Sequence, residues 1–216
     1  IDANMFHPGP WNSVLRAARA LPRSERAGLA TGVSRVSRKL HQRGRRRTVT
    51  VATGLGVEIA VAIIGAILLL IGTARGSDLF VVVAAITWSI TFQPLIKIAI
   101  GYLVGIDYEY AYLYHVEPRF KMDYGKYLAA PQWARIVLHL MGMVGSPLGA
   151  WLPTIFISRD LAVAIYLCRA IFWIAVAINL IAFFPALFGI RRIGSFRLAL
   201  SSGGMAADEI RNALEI

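Results

Sequence analysis

The stretch VTVATGLGVEIAVAIIGAILLLIG, residues 49–72, carries a single charged side chain, Glu58, in an otherwise uncharged and mostly apolar run. A bilayer's hydrocarbon core needs only about 20 helical residues. The stretch therefore reads as a membrane span, with modest tilt absorbing the surplus length. Three further runs read the same way: 79–104, 133–157 and 161–188. The third of the four is the most polar, with Arg135, His139, two prolines and several glycines.

Composition agrees with that reading. The 216 residues are 57% hydrophobic and 16% charged, where a soluble domain would carry about a quarter charged residues. Mean hydropathy is +0.60. The net charge of +11 is concentrated, because eleven of the 23 Lys and Arg fall within residues 16–47, against Asp2 and Glu25. A basic arm in front of membrane spans points to anionic lipid and away from nucleic acid. Cys168 is the only cysteine, so no intrachain disulfide or cysteine-based metal site can form.

The links TARGSD (73–78) and SRD (158–160) are very short, and such links make antiparallel helical pairs. They carry one arginine each, Arg75 and Arg159. The other side of the spans holds the arm, then Arg119, Lys121 and Lys126, then Arg191, Arg192 and Arg197. The positive-inside rule then places both termini in the cytoplasm, with the connection 105–131 between spans two and three. The expected fold is an all-α integral membrane protein of a bacterial plasma membrane. Its four transmembrane helices form two antiparallel hairpins, preceded by a basic amphipathic interfacial helix. Residues 1–47 form the arm, 48–190 the transmembrane domain and 191–216 a tail.

Within the arm, Leu29, Val33, Val36 and Leu40 recur at helical spacing among Arg26, Arg35, Arg38 and Lys39. A helix patterned this way lies on a membrane surface, and residues 26–47 would meet anionic inner-leaflet lipids. In the tail, SSGG (201–204) reads as a flexible break before a short amphipathic helix, MAADEIRNALEI, which would dock on the bundle or on a partner.

The connection GIDYEYAYLYHVEPRFKMDYGKYL (105–128) holds six of the eight tyrosines. Tyr108, Tyr110, Tyr112 and Tyr114 alternate as on a strand, yet they also form i, i+4 pairs. A helix extending span two and stopping before Pro118 is the expected form, since a lone strand has no sheet to join. The tyrosine rings suit the headgroup layer, and Arg119, Lys121 and Lys126, with Tyr112 and Tyr124, suit capture of anionic oxygens.

Ionisable residues inside spans are costly and mark candidate sites. Glu58 would lie about 14 Å deep at 1.5 Å per residue. With Gln93, Lys97, His139 and Asn179 it would reach a cavity in the cytoplasmic half, with Arg135 near the cytoplasmic start of the third span. Glu58 and His139 are the candidates for proton chemistry, and Arg135, Lys97, Gln93 and Asn179 for ligand binding. The alternative is a set of pairs that hold the bundle together. Zinc-protease, nucleotide-loop, GxSxG and dinucleotide signatures are missing from the sequence, and it implies no metal and no particular cofactor. Three functions fit: a protein binding or acting on a lipid or isoprenoid headgroup, an accessory subunit of a larger membrane complex, or a small oligomeric transporter.

Overall fold

A computed structural model describes residues 14, 17–18, 21–42, 47–114, 117–190, 192–193, 196–197 and 201–214. The stretch around Trp11, the arm residues 43–46, His115 and Arg191 lie outside them. In chain order the elements are α1 (Arg23–Gln42), β1 (Thr48–Val49), α2 (Val51–Arg75), α3 (Asp78–Leu103), β2 (Tyr108–Tyr114) and β3 (Glu117–Met122). There follow α4 (Tyr124–Ala129), α5 (Gln132–Trp151), α6 (Pro153–Phe156), α7 (Ala162–Leu187), β4 (Arg192–Ile193), β5 (Phe196–Arg197) and α8 (Ser202–Leu214).

Among the described residues, four helical segments are long and apolar enough to cross a membrane: Val51–Arg75, Asp78–Leu103, Gln132–Phe156 and Ala162–Leu187. Leu70, Leu79, Val163, Tyr166 and Trp173 stand exposed along them. Water would penalise that much apolar surface and lipid does not. The chain is a mostly helical integral membrane protein.

Local chemistry sets the ends of the first span. The Thr50 hydroxyl accepts from the Thr53 N–H at 3.1 Å and caps the start of α2. Gly76, at φ +63°, closes its end in the left-handed conformation that glycine adopts without strain. Small residues then bring the spans together. The Trp88 indole fits against Gly65 and donates to the Ala62 carbonyl at 2.8 Å. Gly145 and Gly149 of α5 press against the α3 backbone at Gln93 and Trp88, as glycines allow between membrane helices.

The tyrosine connection differs from the expected helix. Residues Tyr108–Tyr114 form the central strand of a three-stranded antiparallel sheet in the order β1-β2-β3. Tyr112 lies opposite both Thr48 and Arg119, and Ala111 opposite Val49 and Phe120. The missing sheet partners are thus supplied by the two residues before span one and by the residues that follow the tyrosines. Pro118, which would end a helix, is admissible on an edge strand. Gly54 of α2 packs directly against Ala111 and the Phe120 ring, so the sheet rests on the start of the first span.

The tail helix docks on the bundle, but the SSGG stretch departs from the expected flexible break. Ser202, Gly203 and Gly204 belong to the first turn of α8 and are buried. A Cβ on Gly203 would fall 2.5 Å from the Asn179 carbonyl oxygen. The glycine is needed for close approach to α7, and the helix packs against α7 and α5.

Candidate functional site

The site lies where α4, α5 and α8 meet, and its residues come from neighbouring turns. Asp123 caps α4 by accepting from the Gly125 and Lys126 amides at 2.9 and 3.2 Å. Pro131 then starts α5, whose first turns aim Arg135 and His139 at the same place, one helical turn apart. The Arg135 Nη1 donates to the carbonyls of Leu128 and Ala130 at 3.3 and 3.1 Å. The turn between α4 and α5 thereby holds the guanidinium. Its Nε donates to Glu209 Oε2 at 2.9 Å, and the Tyr127 hydroxyl donates to Glu209 Oε1 at 2.7 Å. The same hydroxyl hydrogen-bonds His139 Nε2 at 2.8 Å. Tyr127, Arg135, His139 and Glu209 are all at most 3% exposed.

A second polar group lies one stage deeper. Gln93 Nε2 donates to Ser202 Oγ at 2.9 Å, with Lys97 Nζ 3.5 Å from the same oxygen. Ser202 also sits against Gly142. Ser202 meets Gly142 and Glu209 meets Arg135, so α8 runs alongside α5 in the opposite direction with matched seven-residue steps. Gly142 is about 15 Å along α5 from its start. The tail helix therefore begins well inside the bundle and climbs back towards its end. Backbone at that depth is tolerated where protein buries it. Ser201 caps the start, its hydroxyl accepting from Gly204 N–H at 3.0 Å.

Asn179 donates to the Met143 and Ala175 carbonyls at 3.2 and 3.0 Å, tying α7 to α5. Glu58 is buried on a different stripe, with Gly54, Gly65, Leu69 and Gly72 of α2, between the sheet contact at Gly54 and the α3 contact at Gly65. The candidates within the spans thus divide into four places: Arg135 with His139, Gln93 with Lys97, Asn179 at the contact of α7 with α5, and Glu58 apart.

Of the connection's cations Lys121 points into the protein, Arg119 is half-buried and Lys126 is exposed. Lys121 Nζ donates to Ser37 Oγ at 2.8 Å and to the Met122 carbonyl at 2.9 Å. It lies 4.7 Å from the centre of the Tyr124 ring. Burial holds the Lys121 ammonium below its ordinary pKa, against the opposing pull of Glu109 and Asp123. Lys126 pairs with Asp107. Tyr112 packs its ring on His41 at 4.5 Å, while Arg119 faces it across the sheet. Burial likewise raises the Tyr108 phenol, whose hydroxyl donates to the Lys97 carbonyl at 2.8 Å.

Two residues of the site, Tyr127 and Glu209, and Ser202 of the deeper group were not among the sequence candidates. For α8 a signal existed. Ser202, Ala206 and Glu209 fall on one helical stripe with Gly203, Ala207 and Ile210 beside it. One acid on a face of small and apolar residues asks for a buried cation. Among the described residues, no group of three or more His, Cys, Asp or Glu side chains converges as a metal site would require. Comparison with protein-family models, curated proteins and solved structures yields no match.

Proposed function

We propose that this chain is a polytopic protein of the bacterial inner membrane that binds anionic lipid at its cytoplasmic face, with the arm helix α1 as the principal contact. In this reading the four spans form two antiparallel hairpins and both termini are cytoplasmic. The transmembrane domain 48–190 carries the arm 1–47 and the tail 191–216 on one side. The basic distribution supports that orientation, since the short links hold only Arg75 and Arg159.

The observation that carries the proposal is an open apolar groove of about 440 Å³ along α1, lined by Val14, Ala17, Ala18, Leu21, Leu29, Gly32, Val33 and Val36. The adjoining face of α1 is engaged by the rest of the protein. Ser34 accepts from the Gly125 amide at 3.0 Å, Ser37 from Lys121, and His41 bonds the Tyr110 hydroxyl at 2.8 Å. What remains is a greasy channel with exposed Arg35 and Lys39 on its outer flank, placed there by helical spacing from Gly32 and Val36. An acyl chain fits the channel, and an anionic headgroup fits the bases, each contributing about 1 kcal/mol near a charged surface.

The experiment is native mass spectrometry of the full chain purified from membranes. The proposal expects copurifying anionic phospholipid, lost when Leu29→Asp and Val36→Asp make the groove polar and weakened when Arg35 and Lys39 become Gln. Equal retention of zwitterionic lipid, or retention unchanged by all four substitutions, would reject it.

A further inference from the structure

We infer that Tyr127, Arg135 and His139 form a binding site for a carboxylate or phosphate group, and that the Glu209 side chain of α8 occupies it as an internal ligand. The site stands apart from the α1 groove and does not rest on lipid binding there.

The cradle is built from one continuous piece of chain, and the anion comes from another. Arg135 is fixed by the Leu128 and Ala130 carbonyls, bonds that do not involve α8. Tyr127, on the preceding short helix, hydrogen-bonds His139 one turn beyond Arg135. The guanidinium Nε and the phenol hydroxyl therefore point at a common spot, and they take one carboxylate oxygen each, at 2.9 and 2.7 Å. Two donors, one charged and one neutral, aimed at two oxygens of one group are what a carboxylate or phosphate monoester requires. Glu209 lies 74 positions from Arg135, on the helix that follows all four spans.

The way α8 is held allows an exchange. Its buried contacts are small: Ser202, Gly203, Gly204, Ala206 and Ala207. Such side chains bury little apolar area, and Leu214 at the far end is 78% exposed. Attachment consequently combines the packing of Ala207 on Ala182 and Ala186 with the polar contacts of Ser202 with Gln93 and of Glu209 with Arg135 and Tyr127. A buried guanidinium left without a counter-charge is strongly unfavourable. The carboxylate thus leaves readily only when another anion replaces it. An external carboxylate or phosphate would take the two donors and release the outer turns of α8.

The test uses the full chain in phosphatidylcholine nanodiscs, at constant ionic strength. Glu209→Gln keeps the shape and removes the internal anion. Inorganic phosphate should raise its Tm, and should leave the Tm of Arg135→Gln/Glu209→Gln unmoved. Replacing part of the phosphatidylcholine with phosphatidic acid gives the second arm. A Tm rise with phosphatidic acid alone assigns the site to a lipid headgroup, and a rise with inorganic phosphate alone assigns it to a soluble anion. If folded Glu209→Gln responds to neither, or the double variant responds equally, the inference is overturned. Should Glu209→Gln fail to fold, amide exchange of the native chain decides. Either probe should accelerate exchange across residues 205–211 while the spans stay protected, and unchanged exchange there with both probes overturns the inference.

Discussion

Arg135 and Glu209 meet at 2.9 Å with both side chains 2% exposed, joining the third span to the tail helix. An ion pair this deep contributes less to net stability than its geometry suggests, because both charges lost their water. Its removal from one side only is the costly event.

Arg135→Gln and Glu209→Gln should therefore each lower stability by about 3–5 kcal/mol. The double substitution should cost less than the sum, since neither charge is then stranded. Thermal unfolding of the four proteins in one detergent measures the coupling. Strict additivity would mean that the two residues do not act as a pair.

Gly149 faces the α3 backbone at Trp88 with no room for a side chain. Gly149→Leu should separate α3 from α5 and lower Tm. Gly56→Leu should be tolerated, because nothing lies near a Cβ added there. If the two melt alike, tight packing at Gly149 is not what limits stability.

Lys121 gives a pH signature. Its pKa in the folded protein is depressed by burial below 10.5, so the unfolded chain binds the extra proton as pH rises between the folded and unfolded values. The sign follows: stability increases with pH across that window, and the cost of burying the charge is fully present below it. Lys121→Met should flatten the slope of Tm against pH on the alkaline side of neutrality. An unchanged slope would place the titrating group elsewhere.

The arm is docked through Gly125, whose missing side chain leaves space for the Ala30 carbonyl and the Ser34 hydroxyl. Gly125→Leu should push α1 off α4 and expose residues 26–42 to protease, with the spans remaining intact. Limited proteolysis with trypsin reads this directly. Cleavage no faster than in the native chain would show that the bonds of Ser37 and His41 and the Arg38–Glu109 ion pair at 3.2 Å hold the arm without it.

The four spans were legible because a long uncharged run in lipid has one way to satisfy its backbone. The sheet was harder. The alternation of Tyr108, Tyr110, Tyr112 and Tyr114 was visible, yet its partners were a two-residue strand before span one and a segment containing Pro118. Neither has a periodicity of its own. Arg135 and His139 announced themselves as polar residues in an apolar run. Tyr127 did not, since tyrosine near a span is ordinary. The thirteen-residue helix Ser202–Leu214 has an amphipathic pattern that suits docking on the bundle or on a partner. Its entry into the bundle depends on Gly203 lying against Asn179, a contact between distant parts of the chain that local sequence does not encode.

That entry gives the protein an order of assembly. Arg135 emerges from the ribosome within the third span, and Glu209 only after the fourth. Until then the arginine lacks its Glu209 partner. Insertion of the spans and closure of the bundle are therefore separate events. A chain halted after its fourth span would carry Arg135 without the carboxylate that neutralises it in the finished protein.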